Sequence, residues 1–179
     1  MRASLVALAV GVGLLSARAD ASRPPRTSVT VEIGVGVGAH RHDHRDRSET
    51  AAALTGGGSV GAFVTPNVAL MYHVASAIAL RDTAVTTALH SGVLQWWPSE
   101  SFFVSGGPGI ALHSPAGMLP ATDNPYGETR VGFGASLRAG WAFSNEGHSS
   151  WHLSAEAVPT FFGSTGVAFA ALQSEWQYL

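Results

Sequence analysis

Between Arg130 and Phe143 the chain alternates without a break. Val131, Phe133, Ala135, Leu137, Ala139, Trp141 and Phe143 take every second position, and Arg130, Gly132, Gly134, Ser136, Arg138, Gly140 and Ala142 fill the rest. A period of two marks a β-strand with one apolar face and one small or polar face. The run is about twice the five or six residues usual for a strand in a soluble domain. It is long enough to cross a hydrocarbon layer as a tilted strand, which takes roughly 9 to 11 residues. In that setting the apolar face meets lipid and the glycines, serine and arginine point inward.

The same pattern recurs along the chain and predicts eight strands, at 29–38, 58–65, 68–80, 84–97, 102–113, 130–143, 151–162 and 167–179. Two of them carry blemishes. In the fourth, Leu94 and Trp96 fall on the face opposite Val85, Thr87, Leu89 and Val93, which a β-bulge near Gly92 would reconcile. In the fifth, Pro108 cannot donate to a ladder and calls for a bulge or a strand end. Only helices and closed barrels satisfy every backbone polar group in lipid, and no stretch after the first residues is apolar enough for a transmembrane helix. The fold class expected is therefore all-β, an eight-stranded antiparallel up-and-down transmembrane β-barrel covering residues 28–179.

Loop lengths support this by a separate route. With eight strands the polar segments 39–57 and 114–129 fall on one side of the barrel, while Pro66-Asn67 and residues 98–101 make short turns on the other. Long outer loops and short inner turns are what an outer-membrane barrel shows. Tyr72, Trp96, Trp97, Phe102, Trp141, Phe143, Trp151, Trp176 and Tyr178 lie at strand ends beside the short turns, as an interfacial girdle requires.

The first residues read as an export signal spanning 1–21. Arg2 supplies the positive charge, residues 5–15 the apolar core, and Ala19-Asp20-Ala21 an A-x-A cleavage site before Ser22. Residues 22–27 form a short polar lead-in. Of 179 residues none is cysteine, which excludes a disulfide framework and thiolate metal sites. The chain carries 10 basic and 12 acidic residues; cleavage would remove Arg2, Arg18 and Asp20 and leave it about three units negative. No basic stripe is present, so a nucleic-acid partner is not expected.

The export signal, the eight alternating strands, the segment QWWPSESFFVSGGPGIAL and the aromatic ending EWQYL resemble the small outer-membrane β-barrel proteins of Gram-negative bacteria, of the OmpA/OmpX transmembrane type. The resemblance covers residues 28–179 and departs from the family at Leu179, since such barrels usually finish on an aromatic residue. It implies an outer-membrane location and a structural or surface-interaction role; no peptidoglycan-anchoring domain is expected after the barrel.

The inward positions hold Glu32, Arg138, Glu156 and Glu175, with His73 and His152. An eight-stranded barrel is just wide enough for side chains to fill it, and charges held there must pair to offset desolvation. An internal ion network is expected, with no solute-sized pore and no cofactor. His40, His42 and His44, beside Asp43 and Asp46, form the candidate metal group: a spacing of two puts three imidazoles on one side if the strand continues, and such ligands suit zinc, copper or nickel. Arginines of the same segment suit lipopolysaccharide phosphates. The partners expected are outer-membrane lipid, lipopolysaccharide and an extracellular ligand at 39–57 and 114–129, with the barrel monomeric. Two alternatives stand beside this reading. One is a lipid A deacylase-like hydrolase built on His152, Ser154 and Glu175; the other is a soluble lipocalin-like barrel with the apolar set turned inward.

Overall fold

The computed structural model describes residues 29–44, 47–80, 85–115, 129–146 and 148–178. The expected signal and lead-in, and most of the third outer loop, lie outside the described residues. Eight strands are present: β1 (Val29–His44), β2 (Arg47–Thr65), β3 (Val68–Ala79), β4 (Val85–Trp96), β5 (Phe102–Pro115), β6 (Arg130–Glu146), β7 (Ser149–Phe162) and β8 (Thr165–Tyr178). Each pairs antiparallel with the next, and β8 pairs with β1 to close the barrel. Closure leaves no sheet edge with unpaired backbone groups. Two inner and outer connections are two-residue turns, Pro66-Asn67 and Gly163-Ser164. Gly163 has φ of 64°, the left-handed conformation that glycine adopts without a Cβ penalty.

The side chains are sorted as the alternation demands. Val131, Phe133 and Leu137 are 68%, 75% and 60% exposed on the outer wall, and Ile33, Val35, Val37, Leu70, Leu153, Phe161 and Leu172 lie on it too. Inside are Glu32, Ser59, His73, Arg138, His152, Glu156, Gln173 and Glu175, all buried. A lipocalin-like barrel would have the opposite arrangement, so the reversed-face alternative is overturned. Polar exceptions on the outer wall satisfy one another: the Tyr72 hydroxyl and His90 Nδ1 are 2.6 Å apart. Where Ala139, Ala155, Ala157 and Ala170 replace larger residues, a furrow of about 840 Å³ runs between Leu137 and Leu172.

The structure corrects the sequence reading at three places. The polar segment 39–57 is not a loop: β1 continues through His44 and β2 begins at Arg47, in register His44↔Arg47. Backbone pairing to β8 continues alongside, to His44↔Thr165, so the strand needs no apolar face once it rises out of the lipid zone. The bulge expected near Gly92 is absent, because β3 and β4 keep one register from Val68↔Trp96 to Ala79↔Val85. Leu89 and Val93 simply point inward. Register shifts occur instead between Phe63 and Thr65 and between Ala142 and Ser144, both beside inner turns. Pro108 also sits without a bulge. The β4–β5 pairs skip from Ser91↔Gly109 to Leu94↔Gly106 with the register unchanged, and Pro108 is exposed on the outer wall.

Inside, two apolar layers enclose a polar one. Phe63, Ala69, Met71, Val93, Trp97, Phe103 and Ala142 fill the end nearest the short turns. Leu89, Val158, Phe162, Val167 and Phe169, with small alanines, fill the other. Eight strands enclose just enough room for such layers.

Candidate functional site

The polar layer is built by seven strands, β1 to β3 and β5 to β8, that each contribute at inward positions. Arg138 on β6 is its centre. Its Nη1 donates to Glu32 Oε1 on β1 and, at 2.9 Å, to Glu175 Oε1 on β8. Its Nε donates to Ser105 Oγ at 3.3 Å, and its guanidinium lies 5.1 Å from the centroid of the Phe103 ring. Arg138 and Glu32 are 4% and 2% exposed, so these charges are compensated by one another and not by water.

A second group adjoins the first. Glu156 on β7 accepts from Ser136 Oγ at 2.6 Å and from His73 Nε2 at 2.9 Å on one oxygen, and from Gln173 Nε2 at 3.0 Å on the other. Ser59 links the two groups. Its hydroxyl donates to Glu32 Oε1 at 3.1 Å and stands 2.8 Å from His73 Nδ1. The His73 ring thus stands between the two groups, with Nδ1 on Ser59 and Nε2 on Glu156.

All four residues expected in the ion network, Glu32, Arg138, Glu156 and Glu175, are thus brought together, with His73 joining them. Ser59, Ser105, Ser136 and Gln173 complete it and were not singled out from sequence. Their inward parity was the available signal. The His152, Ser154 and Glu175 group also faces inward, and His152 pairs directly across from Glu175. Its hydrogen bonds differ from those of a nucleophile and its base: His152 Nε2 is 2.8 Å from Ser150 Oγ.

The outer mouth is a separate cluster. His40 and His42 share the inward side of β1 as their spacing predicts, and the His44 side chain lies outside the described residues. His40 Nε2 lies 2.9 Å from Thr87 Oγ1, which lies 2.9 Å from His113 Nδ1 on β5. The His113 ring stacks on His40 at 6.2 Å and on His42 at 5.7 Å, and meets Phe162 at 5.4 Å. His113 was not foreseen as part of this group. On the outer side, Arg41 Nε donates to both oxygens of Asp43 at 3.0 Å. The Ser48 hydroxyl, and after it Arg41, holds the Asp43 carboxyl below the usual carboxylate range.

Solved structures share this fold. The Neisserial surface protein A has a TM-score of 0.56 and 11% identity, over 84% of this chain and 96% of that one. The attachment invasion locus protein Ail of Yersinia pestis has a TM-score of 0.54 and 11% identity, over 83% and 98%. No protein-family model matches the chain, and no curated protein matches it in sequence. The fold is that of the small eight-stranded outer-membrane β-barrels. In this chain the barrel holds an Arg138-centred interior and histidines at its mouth.

Proposed function

We propose that this protein is an integral outer-membrane barrel, exported by cleavage after Ala21, that acts structurally or by surface interaction and carries no solute-sized pore. The observation that carries the reading is the continuous apolar outer wall around a closed, polar and filled interior. Water would not tolerate an apolar band running round the whole molecule, whereas lipid requires it. Membrane fractionation combined with heat-modifiability on a gel tests this. The protein is expected in the outer-membrane fraction, with a faster-migrating unheated band; a periplasmic, buffer-soluble protein would overturn it.

Surface interaction centres on the outer mouth. Arg41, with Asp43 at its side, projects at the level where strand β1 leaves the lipid zone and suits the phosphates of lipopolysaccharide. The stacking of His113 on His40 and His42 favours a second role for the expected His40, His42 and His44 group, the capture of zinc, copper or nickel from outside. Lipopolysaccharide binding that survives Arg41→Ala, or metal binding that survives His42→Ala, would remove the respective assignment. The wall leaves no requirement for a partner subunit, and a monomer is the expected state in detergent.

A further inference from the structure

We propose that the furrow on the outer wall is a binding groove for an acyl chain of a phosphorylated glycolipid of the lipid A class, whose head Arg41 and Asp43 hold at the upper end. The inference rests on the assignment of Arg41 to lipopolysaccharide phosphates and adds where the hydrocarbon of that lipid lies. The floor is made by alanines of adjacent strands: Ala139 pairs with Ala155, and Ala157 pairs with Ala170, which pairs with Ala39 on β1. Leu137 bounds it on one side, Val37 and Leu172 on the other, and Val104 at the β5 end. Its volume of about 840 Å³ is that of a small-ligand site, not of a gap between two side chains.

The strand register shows which way the furrow runs. Followed from partner to partner, Ala39 leads through Ala170, Ala157, Leu137, Gly106 and Leu94 on to Leu70 and Ala62, and returns to β1 at Val29, close to the inner end. Each step from β1 toward β6 therefore descends into the membrane. The floor takes three such steps, about 14 Å across strands spaced about 4.8 Å apart. It begins beside Arg41, which pairs with Ala168, two residues along β8 from Ala170 and roughly 7 Å nearer the mouth. A lipid whose head rests on Arg41 thus has the furrow leading down from it.

Two effects select the occupant. Lipid tails are as apolar as the wall, so a chain stays in the furrow only through closer packing, which a floor with rims on both sides provides and a convex wall does not. The head is selected by charge. Arg41, with a side chain 59% exposed, donates Nε to both oxygens of Asp43 at 3.0 Å, so a cation and a carboxylate are displayed together. A bare phosphate meets Asp43 as a like charge. A phosphorylated sugar satisfies both, its phosphate accepting from the guanidinium and its hydroxyls donating to the carboxylate.

The test folds the full chain into detergent micelles, adds equal amounts of diphosphorylated lipid A and phosphatidylethanolamine, and counts the lipid carried by each folded barrel by native mass spectrometry. Wild type is expected to retain one lipid A in preference to phosphatidylethanolamine. Ala157→Phe with Ala170→Phe fills the furrow and should reduce retention at least about tenfold. Arg41→Gln should do the same through the lost phosphate contact. Val60→Phe adds bulk elsewhere on the outer wall and should change nothing. Heat-modifiability confirms that each variant is folded, and Ala157→Leu alone serves if the double variant fails to fold. Undiminished retention in the filled furrow overturns the proposal while leaving the Arg41 reading intact if Arg41→Gln still loses the lipid. Undiminished retention in Arg41→Gln removes that reading and the proposal with it. A wild-type barrel that retains no lipid A, or holds phosphatidylethanolamine equally well, also overturns it.

Discussion

Leu137 and Arg138 are joined by one peptide bond and face opposite surroundings: the leucine is 60% exposed on the outer wall and the arginine 4% exposed inside. Leu137→Arg therefore measures what the outer wall touches. Leu137 lies near the middle of β6, where an arginine on the lipid face of a barrel costs about 2 to 4 kcal/mol. Every 1.4 kcal/mol is a factor of ten, so the folding constant should fall by about 30- to 700-fold. If water covered the wall, the same change at an exposed site would fall within about 0.5 kcal/mol. The gap between the two outcomes exceeds ordinary error. The assay is the urea-dependent folding equilibrium in lipid vesicles, followed by tryptophan fluorescence. Thr50→Arg, on an exposed position paired with Arg41 near the outer end of β1, is the control and should change little. A Leu137→Arg barrel as stable in vesicles as Thr50→Arg would refute the assignment of the wall to lipid.

Removing the centre of the ion network should be costly. Arg138→Met strands Glu32 and Glu175 as buried charges and is expected to destabilise the barrel by about 3 to 5 kcal/mol, while the triple variant with Glu32→Gln and Glu175→Gln recovers most of the loss in the same urea assay. Gly140 has no room for a side chain, because an added Cβ meets the Phe103 ring. Gly140→Val should cost about 1 to 3 kcal/mol, read as a lower temperature for conversion of the heat-modifiable band, and Phe103→Leu in the same chain should relieve part of it. Wild-type barrels in planar bilayers should show no steady ion conductance, since Phe103 and Phe162 belong to the apolar layers that cap the polar one. Replacing both by alanine opens a wet path and should raise conductance; an open wild-type channel would contradict the filled interior.

Outside β4, alternation in the sequence determined which side of the wall the strand residues occupy. Val131, Phe133 and Leu137 outward and Glu32, Arg138, Glu156 and Glu175 inward followed from parity, because a strand turns successive side chains to opposite faces whatever it packs against. Parity is silent on height. Only barrel closure decided which inward residues meet, as with Glu32 and Arg138, which are 106 positions apart, or His113 and the two histidines of β1. The same limit explains the misread segment at 39–57. Its polar residues lack a lipid-facing stripe, yet the strand persists because backbone bonds to β2 and β8 hold it, and those bonds leave no mark on side-chain pattern. Leu89 and Val93 were misjudged for the converse reason: apolar residues point inward wherever the register places them in a layer that packs against Phe162 or Phe103.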